Sequence, residues 1–318
     1  MRNTLLAYIT LAALTGMCGA LVLAQGGAAT TVIEQAPKDR AIAMPKEKWT
    51  QYLKDMDAKK LSTLRIVEGG KHNVNIRRIT TVETAGVQPN TIEVWYVMEG
   101  SGTLTTGGKI ENGKIVGGES DPIKPGDVEF IPAGLPRGVS GVDGSVTWLN
   151  IRWDVDWPAD APMGAGTAPP VPGAAPRGGR GGVSVTEYAP TDRAVHFSKE
   201  TLVAFQKDMD AKKTATLRMI EGGHFNVNIR RINAPSGEFH ATTIDTWVVL
   251  EGSGTVNTGY TTSNGNPSGP RVSGTGVDAP AKVEDVFFIP SSFTHGFGAV
   301  NGVMSWLNIR WDDNYGKK

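Results

Sequence analysis

Residues 237–254 read GEFHATTIDTWVVLEGSG, and residues 85–102 read AGVQPNTIEVWYVMEGSG. The second halves nearly coincide: an apolar run rich in Val, Trp and Ile that closes on Gly-Ser-Gly, the pattern of a β-strand ending in a turn. The first halves differ in the residues that carry chemistry. Glu238, His240 and Asp245 stand where the earlier stretch has Gly86, Gln88 and Glu93. The comparison implies a duplicated β-domain in which only one copy has kept a set of metal-binding groups.

The rest of the chain repeats in the same way. EQAPKDRA from residue 34 returns as EYAPTDRA from 187, KDMDAKK from 54 returns from 207, NVNIRRI from 73 returns from 226, and TWLNIRWD from 147 returns as SWLNIRWD from 305. A repeat of this length is a whole domain rather than a solenoid unit. The units are assigned to 34–156 and 187–314. Residues 157–183 between them are rich in Pro, Gly and Ala, which cannot bury a core and make a semi-extended linker. The second unit's extra residues fall in a polar loop around 261–276, TTSNGNPSGPRVSGTG.

Each unit opens on one helical pattern. In PKEKWTQYLKDMDAKK, Trp49, Leu53 and Met56 share a stripe; in SKETLVAFQKDMDAKK, Leu202, Phe205 and Met209 do so behind an N-cap at Ser198. The periodicity then changes to two, in HFNVNIRRI, DTWVVLEG, DVFFIP and SWLNIRWD, with Gly, Pro and Asn turns between. The fold class is all-β with a helical preface to each unit.

Bulk properties narrow the function classes. The 32 basic and 32 acidic side chains cancel, so no overall field draws the protein to nucleic acid. Residues 1–24 begin with Arg2, run apolar or small from residue 5, and end in VLA before Gln25. This is the pattern of a signal peptide cleaved near Ala24; the alternative is an uncleaved anchor, since the run approaches the ~20 residues that span a bilayer. Cleavage implies a secreted or periplasmic protein with no membrane attachment. The single cysteine, Cys18, lies in that segment, so the mature chain has no thiol nucleophile, disulfide or thiolate metal ligand.

The five histidines are His72, His196, His224, His240 and His295. Glu238 and His240, two apart, project from one face of an extended strand. Asp245 shares a face with Trp247 and Val249, and the odd spacing between 240 and 245 calls for a turn or bulge at ATTI. His295 follows a strand and a turn after Pro290. Four oxygen and nitrogen donors could converge inside one barrel. His224 and the duplicated Asn226, Asn228 and Arg230 read instead as loop and scaffold residues, and Trp247, Phe288, Phe293 and Trp306 as core.

E-x-H-x4-D-x6-G at 238–252 followed by E-x5-P-x-S-x2-H at 284–295 resembles the two metal motifs of the cupin superfamily. The first copy is similar to the second of those motifs, as GDVEFIPAGLPR from Gly126. The resemblance spans both units and implies two tandem jelly-roll β-barrels, each preceded by one short helix, with the N-terminal site degenerate. It implies as metal ligands Glu238, His240, Asp245 and His295, with Glu238 in place of the usual first histidine and Asp245 in place of the usual glutamate. Two imidazoles and two carboxylates suit one divalent ion, Fe, Mn or Zn. In the first copy Arg137 replaces the last histidine while Glu93 remains. The expectation is that Arg137 approaches Glu93 where the cation would sit, the alternative being an arginine directed to solvent.

The resemblance further implies a metal-dependent enzyme acting on a small oxygen-rich molecule, of dioxygenase, decarboxylase, lyase or isomerase type, with Glu238 as the proton-moving catalytic residue. The alternative is a small-molecule or carbohydrate binding protein without turnover. The expected partner is a small-molecule ligand, with self-association left open; fold does not choose among these chemistries.

Overall fold

A computed structural model of the chain describes residues 30–158, Ala165 and 183–314. The signal-peptide assignment and most of the 157–183 linker lie outside those residues. Among the described residues no helix is long and apolar enough to cross a membrane.

The duplicated sequence builds two eight-stranded sheets with the same strand order. In the first, β1 (Thr31–Gln35), β3 (Thr63–Glu68), β4 (His72–Ile79), β10 (Arg137–Asp154), β5 (Thr91–Thr106), β9 (Val128–Ile131) and β12 (Val195–Phe197) lie side by side, and β8 (Glu119–Ile123) pairs with the far half of β5. In the second the order is β11 (Ser184–Tyr188), β13 (Thr216–Glu221), β14 (Phe225–Ile232), β18 (His295–Asp312), β15 (Thr243–Thr258), β17 (Val286–Ile289) and β2 (Ile42–Met44), with β16 (Val277–Lys282) on β15. A hairpin of β6 (Lys109–Glu111) and β7 (Lys114–Val116) stands apart. Helices α1 (Lys46–Lys59) and α2 (Lys199–Lys212) precede β3 and β13. This is the all-β jelly-roll class with one short helix ahead of the main strands of each unit, two short strands preceding that helix; the hydrogen-bonded path of each sheet is open.

Long strands bend where glycine permits it. In β15 and β18 the register shifts between Val249 and Glu251 and again before Ser253, beside Gly252 at φ +83°, where an added Cβ would lie 2.0 Å from the Val303 carbonyl oxygen. This explains why EGSG recurs in both copies: each needs a bulge that bends the strand over its own core.

The units exchange strands. β2 belongs to the first repeat but pairs with β17 of the second sheet (Val286↔Met44, Phe288↔Ile42), and β12 of the second repeat pairs with β9 of the first (Val195↔Phe130, Phe197↔Val128). The helices follow their strands. Asp285 accepts from the Lys46 amide at the start of α1 (2.8 Å), and Asp127 accepts from the Lys199 amide at the start of α2 (2.8 Å). An aspartate of each unit thus satisfies an orphan helix N–H of the other. α1 buries Trp49, Leu53 and Met56 as the stripe requires. α2 buries Leu202, Gln206 and Met209, Phe205 being only partly covered, and Ser198 caps it by accepting from the Thr201 amide.

Three apolar clusters result. One fills each sheet's concave side, around Trp95 and Trp148 in the first unit and Trp247 and Trp306 in the second. The third joins the units and includes Trp153 stacked parallel on Trp311 at 5.4 Å and Phe130 stacked on Phe225 at 5.9 Å.

Candidate metal centre

The second unit gathers three of the four expected donors, Glu238, His240 and His295, into one group, with Asp245 beside it. Glu238 pairs with His295 through two backbone bonds, 2.7 and 3.0 Å, in an isolated bridge. That bridge holds the segment before β15 against the start of β18. Residues 239–242 are non-strand and absorb the odd spacing, so that Asp245 enters β15 on the face of Trp247. The His240 carbonyl accepts from the Ser292 amide at 2.7 Å. Ser292 and Glu284 adopt φ +59° and +72° where the first unit has Gly134 and Gly126 at +82° and +94°. The turns keep the glycine geometry although a Cβ makes it costlier.

Glu238, His240 and His295 form a group whose donor atoms lie within 4.8 Å of one another. Asp245 stands beside it, its Oδ2 3.6 Å from His295 Nε2 and 3.9 Å from His240 Nε2. The donors are arranged by depth. Asp245 and His295 are 0% and 1% exposed, whereas Glu238 and His240 are 19% and 20% exposed and form the rim. Trp247 lies edge-on beneath His295 at 5.5 Å.

Hydrogen bonding at the base fits a cation. His295 donates Nδ1–H to the Phe293 carbonyl at 2.8 Å, which leaves Nε2 a lone pair. Neither His295 Nε2 nor either carboxylate oxygen of Asp245 has a hydrogen-bond partner, though all three are buried. Arg310 Nε lies 3.2 Å from Asp245 Oδ1, but Asp245 Oδ2 and His295 Nε2 face each other with no hydrogen bond to either. Such a pair of buried acceptors is costly, and a divalent ion satisfies it directly. Burial pushes the His295 imidazole below the ordinary histidine value, against the pull of Asp245. Neutral imidazole is the ligating form. At the rim, burial opposes ionisation of Glu238, but the Arg230 guanidinium, the 3.2 Å contact with His240 and the charge of Arg310 outweigh it and hold the carboxyl well below the usual carboxylate range.

Two arginines also meet at this centre, Arg230, which the sequence reads as scaffold, and Arg310, which the sequence does not single out. Arg230 forms an ion pair with Glu238 and lies over the Trp306 ring at 5.6 Å. Arg310 Nε is 3.2 Å from Asp245 Oδ1. Both lie in segments common to the two copies, NVNIRRI and WLNIRWD, which favoured a scaffold reading. The signal available was their period: each sits an even number of residues from inward-facing neighbours. The loop at 261–276 also contributes. The Tyr260 hydroxyl, with one proton to give, lies 2.8 Å from Pro267 O and 3.2 Å from His295 O, and Ser268 donates to Gly237 O (2.7 Å), backing the Glu238–His295 bridge. His224 is turned elsewhere, bonded to Asp312 Oδ2 at 2.9 Å and stacked on Trp157.

The first unit shows what replaces the donor set. Gly86 and Arg137 form the bridge equivalent to Glu238 and His295. Arg137 donates Nε–H to Glu93 Oε2 (2.8 Å) and Nη2–H to Oε1 (2.6 Å), and Trp95 Nε1–H also reaches Oε2 (2.9 Å). The expected approach of Arg137 to Glu93 is therefore present, as a two-pronged pair. Burial opposes ionisation of Glu93, but Arg137 and Arg152 outweigh it and lower its pKa.

No family profile and no curated protein matches the sequence. Solved structures do match the fold. Salicylate 1,2-dioxygenase from Pseudaminobacter salicylatoxidans superposes with a TM-score of 0.56 over 89% of this chain and 86% of its own, at 14% identity. A variant of that enzyme in complex with gentisate gives 0.53 over 89% and 84%, again at 14% identity. A cupin 2 conserved barrel domain protein from Leptotrichia buccalis gives 0.47 over 79% and 88%, at 11% identity. The chain has the two-unit cupin fold.

Proposed function

We propose that the second unit holds one divalent cation through Glu238, His240, Asp245 and His295, in a secreted or periplasmic enzyme that acts on a small oxygen-rich molecule. The observation that carries this reading is the pair of buried acceptors Asp245 Oδ2 and His295 Nε2, neither hydrogen-bonded, 3.6 Å apart beneath two donors that are only about one-fifth exposed. An Fe(II), Mn(II) or Zn(II) ion bound by such a set supplies Lewis-acid polarisation and open positions for oxygen ligands. The protein's own groups do the rest. Asp245 and His295 form the rigid base, and the Phe293 carbonyl fixes the His295 ring. Arg230 keeps Glu238 ionised at rest. A ligand anion that engages Arg230 would draw its charge away, raise the Glu238 pKa and allow that carboxylate to take a proton from the ligand. The dioxygenase that shares the fold acts on salicylate, and its variant was solved with gentisate; a small oxygenated substrate is consistent with a rim only partly open to solvent.

The second reading, a binding protein without turnover, is favoured by the first unit, which has exchanged its donor set for an ion pair and kept its fold. Chelator-stripped protein reloaded separately with Fe(II), Mn(II) and Zn(II) tests the two. Product formation or dioxygen uptake with hydroxy and oxo acids, absent in His240→Ala, is expected for the enzyme. Saturable ligand binding without product supports the binding protein, and neither result rejects both.

A further inference from the structure

Glu238 and His240 sit on a segment with little regular structure of its own. Residues 233–242 lie outside the strands, and Glu238 joins the sheet through the isolated bridge to His295. Donors on such a stretch keep their geometry only if neighbouring groups hold the backbone in place. On the His240 side Ser292 does so, its N–H bonded to His240 O and its hydroxyl to Ala241 O, each at 2.7 Å. On the Glu238 side Tyr260 and the loop that follows it, 261–276, take that part.

Arg271, held by an isolated bridge to Thr262, donates Nη2–H to Ser236 O at 2.8 Å and to Phe297 O at 3.3 Å. Ser268 donates to Gly237 O. The bonded carbonyls thus belong to the two residues before Glu238 and to the second residue after His295. Tyr260 is buried, its ring centre 4.2 Å from the Arg271 guanidinium and its hydroxyl 3.2 Å from His295 O. Thr294 fastens it from the other end, donating to Tyr260 O at 2.6 Å. The fit is close at Gly237, where a Cβ would lie 2.1 Å from Pro267 O and 2.3 Å from Tyr260 Oη.

The first unit differs at both places together. Gly108 stands where the second unit has Tyr260, and Gly86 where it has Glu238. There the hairpin of β6 and β7 meets the segment through a backbone bond, Ala85 N–H to Gly113 O at 2.9 Å. The side chains that hold the bridge from behind accompany the donors.

We infer that Tyr260, Ser268 and Arg271 are positioning residues of the candidate metal centre: they fasten the segment bearing Glu238 and His240 against His295 and so set the spread of the donors. The inference rests on the reading of Glu238, His240, Asp245 and His295 as the donors of one cation. Groups that orient metal ligands through hydrogen bonds typically carry about ten- to a hundredfold of the metal affinity.

Titration of the chelator-stripped full chain with Co(II), followed by its visible absorption bands, tests this, because the bands report donor geometry as well as occupancy. Tyr260→Phe removes one hydroxyl and keeps the ring; it should weaken Co(II) binding about tenfold, and Arg271→Ala about a hundredfold with shifted bands. Arg271→Lys keeps a donor for Ser236 O and should restore part of the affinity lost in Arg271→Ala. Denaturant unfolding of the metal-free variants checks that each is folded; if Arg271→Ala is not, Tyr260→Phe and Ser268→Ala carry the test. A merely structural role would lower the metal-free unfolding midpoint and leave Co(II) affinity and bands unchanged, and that result in the folded variants would overturn the inference alone. Absence of saturable Co(II) binding by the unchanged protein would overturn the donor assignment with it.

Discussion

At the scale of single residues, equivalent positions of one backbone carry the candidate donors Glu238, His240 and His295 in the second unit and the Arg137–Glu93 pair in the first. Arg137 is 14% exposed and Glu93 1%, so Arg137→Ala strips a buried carboxylate of its two-pronged partner. The expected loss is about 3 kcal/mol in denaturant unfolding, the cost of leaving a buried charge half-paired; unchanged stability would mean that Arg152 and Trp95 suffice. Glu238→Gln should lower turnover about a hundredfold if Glu238 moves the proton, with metal content checked alongside. His72 offers a pH test away from the centre. Burial pushes its pKa from 6.5 to about 4, where its ring stacks on Phe288 and tilts against Trp311. The unfolded chain takes up a proton between those values and the folded chain does not. Stability is therefore full above pH 6.5 and falls as the pH drops toward 4, by at most about 3 kcal/mol. The second unit has Phe225 at the matching position, and His72→Phe should abolish that slope in chemical denaturation between pH 4 and 7.

At the scale of elements, each helix is anchored by the other unit. Asp127→Ala and Asp285→Ala should each cost about 1–2 kcal/mol, as loss of an N-terminal cap does, although neither aspartate lies in the repeat whose helix it caps; denaturant midpoints measure this. Much of the element pattern was legible. Helix stripes at Trp49, Leu53 and Met56, the Ser198 cap and the inward placement of Asp245 with Trp247 follow from period and capping chemistry. The exchange of β2 and β12 was not, because a three-residue strand such as Ile42-Ala43-Met44 carries no signal of its partner, and pairing with a strand of the other repeat is decided by the assembled core. The left-handed turns at Glu284 and Ser292 were equally hidden: without glycine the sequence suggests a looser turn, yet backbone bonds such as Ser292 N–H to His240 O impose it. Arg230 and Arg310 read as scaffold because both are duplicated, yet Arg230 pairs with Glu238 and Arg310 with Asp245, while their counterparts Arg77 and Arg152 pair with Glu83 and Glu93.

At the scale of the whole molecule, exchanged strands, reciprocal caps and a shared aromatic core make the units interdependent. A fragment of residues 187–314 loses β2 from the edge of β17 and exposes Phe225 and Trp311, so it should unfold at lower denaturant than the full chain or aggregate. The full chain should unfold in one transition; two separate transitions would mean that the shared core does not couple the units. The secretion reading expects the exported protein to begin near Gln25, which N-terminal sequencing decides. The central claim is a single cation in the second unit, and elemental analysis of the purified mature protein beside the His240→Ala, His295→Ala variant tests it most directly. About one equivalent of Fe, Mn or Zn per chain, absent from the variant, is the expected result; equal and substoichiometric metal in both would contradict it.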